Sequence, residues 1–203
     1  MKFEITNGLI ARAGNVARML TAHDEKYLPA RIKSMAALVE SPIELLMFSA
    51  LLDVVRWQEG YPEFIGDERG LLYKVLERSE RSSFVIVPQA RIDDYRVDFL
   101  IARRAGPFSW KLAIECDGHE FHERTKEQAA RDKSRDRAIL AHGVPIMRFT
   151  GKEIWADATA CAEEVVAHFN SSLGDFESHR YEQSIAAGAA SSPRSRDMAG
   201  EQG

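Results

Sequence analysis

The feature that most constrains this fold is a change in hydrophobic period near residue 83. Before it, apolar residues recur mostly at three- and four-residue steps, as they do along one face of a helix. After it come three short apolar segments that are typical of strands: Phe84–Val87, Tyr95–Ile101 and Leu112–Cys116. Because the connections between them are short, we expect consecutive segments to be antiparallel neighbours in one sheet.

A charged helix, a fourth strand and a last helix follow these segments. Residues 123–142 are densely charged and lead to Gly143, a residue type that commonly terminates a helix. Val144–Phe149 supplies the fourth strand, and apolar residues on one side of Ala158–Phe169 predict the last helix. This order of elements predicts an α/β domain built around one core.

The chain before the sheet is expected to be helical. Asn15–Val39 predicts two short helices that form an N-terminal appendage. Residues 41–44 (SPIE) are typical of a helix start, with Ser41 as the N-cap and Glu44 three residues later. Residues 61–82 are expected to hold a loop and a short helix before the first strand.

The C-terminal segment, residues 173–203, is rich in Ser, Ala, Gly and charged residues. It holds too little apolar content to offset the entropy of ordering it, so we expect a disordered tail. A chain of 203 residues is long enough for one full core and short for two large domains. The predicted organisation is a helical appendage over residues 1–40, one domain over 41–172 and a tail over 173–203.

Charge and cysteine content exclude several classes of protein. A net charge of −4 argues against a protein that coats nucleic acid, although residues 81–151 carry 13 Lys and Arg against 10 Asp and Glu. Cys116 and Cys161 lack the paired spacing of a zinc site or a disulfide framework, which favours a reducing cytoplasm. We expect a soluble protein, since neither a signal peptide nor the roughly 20 apolar residues of a membrane span are present.

The second and third predicted strands each contain one carboxylate. Asp98 and Glu115 alternate with apolar residues and therefore lie on the faces opposite the apolar rows. If the strands turn at residues 106–107, the numbers of facing residues sum to 213, which sets Asp98 opposite Glu115. The same register sets Arg96 opposite Asp117.

Facing carboxylates need a physical explanation, because like charges directly opposite on a sheet are destabilising. A cation between them is one answer, and a cage of hard oxygen atoms suits Mg²⁺ or Mn²⁺. Such an ion lowers the pKa of a bound water and neutralises charge on a phosphate under attack. Two other interpretations stay open from spacing alone: a solvated outer face, or a pair that shares one proton.

Four motifs occur together in a characteristic order. They are V-D-F within IDDYRVDFLI, E-x-D-G-x-x-x-H within LAIECDGHEFH, R-D within ARDKSRDRAIL, and G-x-x-x-x-R-F within GVPIMRFTGKEI. This set resembles the DUF559 group of nuclease-like domains, relatives of the very-short-patch-repair endonucleases in the PD-(D/E)XK superfamily, over about residues 41–169. The resemblance implies a restriction endonuclease-like core, a four-stranded mixed sheet flanked by helices, and a metal-dependent phosphodiesterase site.

The resemblance also implies roles for individual residues. Asp98 resembles the family's first metal-binding aspartate and Glu115 its second acidic ligand, both to Mg²⁺ or Mn²⁺. Asp117 falls where the superfamily usually has a lysine, a departure that the DUF559 group shares; a carboxylate there could accept a proton from water or add a metal contact. His122 matches the family histidine and could act as general acid or base, whereas His119 has no match.

Five further residues are candidates for a supporting role. Glu44 resembles the acidic residue on the group's first core helix, although a capping box explains it equally well. Gln89 resembles a polar residue near the site, or simply forms a turn. Arg131 and Lys133 are candidates to replace the displaced lysine, and Arg148 leaves the fourth strand near the same edge.

Three functions are compatible with these residues. The first is an endonuclease of repair or defence type that cuts DNA with Mg²⁺ or Mn²⁺, which the intact set Asp98, Glu115, Asp117 and His122 favours. The second is a nucleic-acid-binding module with the same fold and no cleavage, within a defence or toxin–antitoxin system. The third is an interaction protein whose acidic pair only closes a salt-bridge network with Arg96 and Arg131.

Overall fold

The computed structural model describes residues 3–16, 28–59, 63–64, 83–105, 108–118 and 126–191. The chain divides into two compact units, Met1–Ala167 and His168–Gly203. The first unit holds the sheet and the helices that pack on it. The predicted short helix before the first strand falls within residues 65–82, outside the described residues.

Among the described residues, three helices precede the main sheet. They are α1 (Asn7–Val16), α2 (Leu28–Ala36) and α3 (Pro42–Glu59), and α1 and α2 pack against each other and against α3. The first helix lies earlier than the sequence predicts because Thr6 caps it. The Thr6 hydroxyl accepts a hydrogen bond of 3.1 Å from the N–H of Leu9.

Helix α3 begins where the sequence predicts. The carbonyl of Ser41 accepts a hydrogen bond of 3.1 Å from the N–H of Leu45, and its hydroxyl accepts one of 3.3 Å from the N–H of Glu44. Ser41 is therefore the N-cap, with Pro42 at the first helical position. The helix is then buried along much of its length, through Leu45, Leu46, Met47, Phe48, Ala50 and Leu51.

The described part of the chain then contains seven strands: β1 (Glu63–Phe64), β2 (Ser83–Pro88), β3 (Arg91–Ile92), β4 (Tyr95–Arg96), β5 (Phe99–Ala105), β6 (Phe108–Asp117) and β7 (Ile146–Thr150). Five of them form a sheet in the order β1-β2-β5-β6-β7. β2, β5 and β6 are antiparallel neighbours, whereas β7 runs parallel to β6 and β1 parallel to β2. The predicted four-stranded mixed sheet is confirmed, and the two-residue β1 adds a fifth strand at its edge.

A small hairpin divides the predicted second strand. The sequence predicts one strand over Tyr95–Ile101, but β4 pairs with β3 in a separate two-stranded sheet, and β5 begins at Phe99. The turn of this hairpin contains Asp93 at a φ of 55°, a left-handed conformation that Asp tolerates better than most residues. The predicted pairing of Arg96 with Asp117 is therefore wrong.

Both faces of the sheet carry buried residues. The ring of Phe48 on α3 lies 5.6 Å from that of Phe99, so α3 packs on the face that carries Phe99. A second cluster joins Leu100 and Ala113 to Ile139, which lies on the charged helix α4 (Lys126–Ala141). These strands are thus enclosed between helices rather than solvated on one side.

The connections around β7 follow the sequence closely. Gly143 ends the turn after α4 at a φ of 71°, and its N–H donates a hydrogen bond of 2.8 Å to the carbonyl of Leu140. Helix α5 (Gly151–Ser191) begins directly after β7 and departs from helical geometry at Asp157, with φ −153° and ψ 87°. The Asp157 carboxylate accepts a hydrogen bond of 3.0 Å from the N–H of Ala160, so a new helical segment starts at the predicted Ala158.

Helix α5 corrects the predicted disordered tail. Residues 173–191 are helical in this structure. This segment contains several alanines, the residue with the highest helix propensity, and it continues a helix that is already formed. Residues 192–203 lie outside the described residues, and no helix in the described ranges has the length and apolar character to cross a membrane.

Candidate active site

A row of candidate site residues crosses the sheet at one end of β5. β5 and β6 pair in the predicted register, in which the numbers of facing residues sum to 213. One residue before β5, Asp98 therefore lies opposite Glu115, which is the register partner of Arg148 on β7. On the other side, the backbone N–H of Gln89 donates a hydrogen bond of 2.7 Å to the carbonyl of Asp98.

Asp98 is a partly buried carboxylate held by the neighbouring strand. The backbone N–H of Cys116 donates a hydrogen bond of 2.7 Å to its Oδ2. Burial raises the pKa of Asp98 from 3.8 to about 6; the Cys116 hydrogen bond opposes this rise, and the negative charge of Glu44 adds to it. Asp98 thus lies in a setting that disfavours its own negative charge.

Glu115 is a buried carboxylate with a guanidinium partner. It is 9% exposed, and Nη2 of Arg135 on α4 lies 2.5 Å from its Oε1. Burial raises the pKa of Glu115, and the negative charge of Asp98 adds to the rise, although the hydrogen bond from Arg135 lowers it. The pKa of Glu115 remains raised despite its ion pair.

Asp117 lies at the end of β6, next to a second arginine. Nη1 of Arg148 lies 3.6 Å from Oδ1 of Asp117, and Nη2 of the same guanidinium lies 2.5 Å from Oδ1 of Asp136 on α4. Burial lowers the pKa of Arg148, but the hydrogen bond to Asp136 and the nearby negative charges raise it overall. Arg148 therefore ties Asp117 to helix α4.

Glu44 closes the capping box of α3 and also lies close to Asp98. It is 6% exposed, and its carboxylate accepts hydrogen bonds from the Ser41 hydroxyl at 2.7 Å and from the N–H of Glu40 at 2.8 Å. The same carboxylate accepts a hydrogen bond of 2.8 Å from the side-chain amide of Gln89. Glu44 thus caps α3 and also lies near enough to Asp98 to raise its pKa.

The structure brings most, though not all, of the predicted supporting residues to this site. Arg131 and Lys133, the predicted replacements for the superfamily lysine, have exposed side chains. His119 and His122 lie outside the described residues. The arginine of α4 that ion-pairs with Glu115 is Arg135, which was not among the predicted supporting residues.

The helical spacing of α4 is the signal from which Arg135 could have been recognised in the sequence. Ile139 is the buried residue of α4, and Arg135 precedes it by four positions, so both lie on the face turned toward the sheet. The expected network with Arg96 and Arg131 is not formed, because Arg96 binds Glu40 at 2.7 Å and Arg131 is exposed. A solvated outer face for the acidic pair is wrong as well, since Glu115 is buried.

Comparison with known proteins identifies the domain around this row. Residues 73–169 match the family model REase_MTES_1575, which describes a restriction-endonuclease-like family. The matched residues belong to a restriction-endonuclease-like domain. No curated protein and no solved structure matches the chain. The restriction-endonuclease-like assignment points to nuclease activity and to a nucleic-acid partner, while the narrower resemblance to the DUF559 group remains a prediction.

Restriction-endonuclease-like families generally use divalent metal ions, and the donor chemistry of this site fits one. Asp98 and Glu115 offer hard carboxylate oxygens, and the buried Oε1 of Gln89 accepts no hydrogen bond from the described residues. Within the described ranges, no three His, Cys, Asp or Glu residues form a group that could hold a metal ion. Two carboxylates suffice for Mg²⁺, which takes one or two of them and completes its shell with water and substrate phosphate.

Cys116 reveals how much negative charge is concentrated here. Burial raises the pKa of its thiol, and the charges of Asp98, Glu44, Glu115 and Asp117 raise it further. Carboxylates on α3, on β6 and in the segment before β5 therefore all lie near enough to Cys116 to raise the pKa of its thiol. A divalent cation would relieve their mutual repulsion.

Proposed function

We propose that this protein is a metal-dependent nuclease that hydrolyses phosphodiester bonds in DNA, with Asp98 and Glu115 as ligands to Mg²⁺ or Mn²⁺. The observation that carries this proposal is the pair itself. Asp98, one residue before β5, and Glu115 on β6 are two carboxylates with raised pKa values that lie opposite each other by the register of these strands, inside a restriction-endonuclease-like domain. Both cysteines are free and buried, which agrees with a reducing, cytoplasmic location.

The bound metal ion would supply Lewis acidity, lowering the pKa of a water molecule and neutralising charge on the phosphate. The protein's own groups would supply orientation and proton transfer. The N–H of Cys116 fixes the Asp98 carboxylate, and Arg148 fixes Asp117. Asp117, in the position of the superfamily lysine, would accept a proton from the attacking water.

DNA is the substrate class that we infer, and its binding would rest on local charge. Residues 81–151 carry 13 Lys and Arg against 10 Asp and Glu, although the whole chain has a net charge of −4. Exposed cations on α4, including Arg131 and Lys133, are available for contacts with the phosphate backbone. Binding of this kind weakens steeply with salt.

A second candidate function is a nucleic-acid-binding module that does not cleave. The ion pair between Arg135 and Glu115 favours it, since a carboxylate already bound to a guanidinium has less need of a metal ion. The two functions differ in one measurable respect, which is turnover in the presence of Mn²⁺.

The test is a cleavage assay on supercoiled plasmid, linear duplex DNA, single-stranded DNA and RNA, with Mn²⁺ or with chelator. We expect cleavage of DNA that requires Mn²⁺ and is lost in Asp98→Asn and in Glu115→Gln. Asp94→Asn is the matched control, because it removes an exposed carboxylate four residues from Asp98. Binding to DNA without cleavage of any substrate would favour the second function, and cleavage that survives both substitutions would exclude this site.

A further inference from the structure

The guanidinium of Arg135 makes two hydrogen bonds next to the pair Asp98 and Glu115. Its Nη2 lies 2.5 Å from Oε1 of Glu115 and donates a hydrogen bond of 2.6 Å to the backbone carbonyl of Arg96. One turn further along α4, Ile139 is fully buried in the cluster on the same face of the sheet. The packing of Ile139 therefore places the guanidinium of Arg135 at Glu115.

The positive charge of Arg135 also acts on Asp98. It lowers the pKa of Asp98 as well as that of Glu115, so the guanidinium lies close to both members of the pair. The neighbouring Arg148 is engaged by Asp136 and Asp117. Among the described residues, Arg135 is thus the cation that ion-pairs with Glu115 directly.

We propose that Arg135 is a displaceable counter-ion, which holds Glu115 in the metal-free protein and gives up this carboxylate when a divalent cation binds. This inference rests on the proposed function. A hydrogen bond from the guanidinium occupies Oε1 of Glu115, and a divalent cation at the same carboxylate would repel the positive charge of Arg135. The two cations therefore compete for one ligand, and metal affinity is lower than the donor set alone would give.

Once a metal ion displaced it from Glu115, the guanidinium of Arg135 would be free to bind a phosphate group. The released side chain stays attached to α4 beside the metal site, where a phosphate of the nucleic acid would lie. Arginine binds phosphate through two parallel N–H···O hydrogen bonds, and loss of its carboxylate partner makes it available for this contact. Arg135 would then supply the positive charge that the superfamily lysine supplies elsewhere and that Asp117 cannot.

Calorimetric titration of the full chain with Mn²⁺ tests the competition without depending on cleavage. We expect Arg135→Met to bind Mn²⁺ about tenfold more tightly than the unmodified protein, because removing the competing charge leaves Glu115 free. The matched control is Arg137→Met, which removes an exposed arginine from the same helix and should leave Mn²⁺ affinity within about twofold. Equal or weaker Mn²⁺ binding by Arg135→Met would overturn the inference.

A second variant keeps the test usable if loss of Arg135 unfolds the protein. Arg135→Lys retains the charge and loses the two-point contact with Glu115 and the Arg96 carbonyl, so we expect Mn²⁺ binding to tighten about threefold. Unchanged affinity in a folded Arg135→Lys protein would count against the proposal. Circular dichroism of each variant establishes that it is folded.

The affinity for a DNA duplex, measured in Ca²⁺, tests the proposed contact between Arg135 and a phosphate. We expect Arg135→Met to lose at least fivefold more DNA affinity than Arg137→Met, since both lose one charge but only the former loses the contact at the site. Equal losses would overturn the phosphate contact.

The outcomes also separate this inference from the proposed function. If the unmodified protein binds Mn²⁺ and cuts DNA while Arg135→Met binds Mn²⁺ no more tightly, the inference fails and the function stands. If neither protein binds Mn²⁺, both fail.

Discussion

The side-chain amide of Gln89 donates a hydrogen bond of 2.8 Å to the carboxylate of Glu44. This contact joins the first turn of α3 to the residue that directly follows β2. Gln89 adopts a left-handed φ of 53°, and its backbone N–H binds the carbonyl of Asp98. The cap of one helix and the position of a candidate metal ligand are thus linked through two residues.

Replacement of Glu44 should separate its capping role from its charge. Glu44→Ala removes the acceptor for Glu40, Ser41 and Gln89, and we expect a loss of about 2–3 kcal/mol in the free energy of unfolding. Glu44→Gln keeps one acceptor oxygen and should lose about 1 kcal/mol. Urea denaturation of both variants measures this, and equal losses would show that the hydrogen bonds do not carry the effect.

The raised pKa of Asp98 predicts how stability depends on pH. Burial raises the pKa of Asp98 from 3.8 to about 6, so the folded protein binds this proton more tightly than the unfolded chain does. The stability contributed by protonated Asp98 is therefore complete below about pH 4 and is lost as the pH rises through about 6. At pH 8 Asp98 is ionised in the folded protein, although its burial disfavours the negative charge.

Asp98→Asn should accordingly stabilise the metal-free protein at high pH. We expect a gain of about 1–3 kcal/mol at pH 8 and a much smaller one at pH 4, where the native carboxyl group is already neutral. Urea denaturation with chelator at both pH values gives the difference. A variant that is less stable than the unmodified protein at pH 8 would contradict the assigned environment of Asp98.

The ion pair between Arg148 and Asp136 should stabilise the contact of α4 with β7. Arg148→Met and Asp136→Asn are each expected to lose about 1 kcal/mol, since both side chains are partly solvated. In a double-mutant cycle the coupling free energy should be about 0.5–1 kcal/mol. Fully additive effects of the two substitutions would show that the pair contributes nothing.

Asp157 should be the residue that restarts helix α5. Its carboxylate accepts the N–H of Ala160 where the backbone leaves helical geometry. We expect Asp157→Ala to lose about 1 kcal/mol and Asp157→Ser to retain most of the stability, because serine is also a good N-cap. Thermal unfolding of the two variants decides this, and equal destabilisation would argue against a capping role.

The sequence predicted those parts of the fold that depend on local patterns. Alternation and a turn at residues 106–107 were sufficient to predict the register in which Phe99 pairs with Ile114, and this register sets Asp98, one residue before β5, opposite Glu115. Residues 41–44 (SPIE) predicted the start of α3, and Gly143 predicted the end of α4. Both predictions succeeded because helix caps are formed by residues that are close in the sequence.

Long-range contacts could not be predicted in the same way. The choice among Arg131, Lys133 and Arg135 depends on how α4 is rotated against the sheet, and this is set by one buried residue, Ile139. The hairpin that separates Arg96 from Asp117 depends on a left-handed Asp93, which strand alternation does not reveal. Helix α5 extends beyond its apolar segment, so composition alone predicted disorder where the structure has a helix.

Titration of the protein with Mn²⁺ by calorimetry, at a pH well above 6, tests the central claim most directly. We expect the unmodified protein to bind Mn²⁺, and Asp98→Asn and Glu115→Gln each to weaken binding at least tenfold, while Asp94→Asn leaves it unchanged. Mn²⁺ binding that is unaffected by either of the first two substitutions would contradict a metal site between these strands.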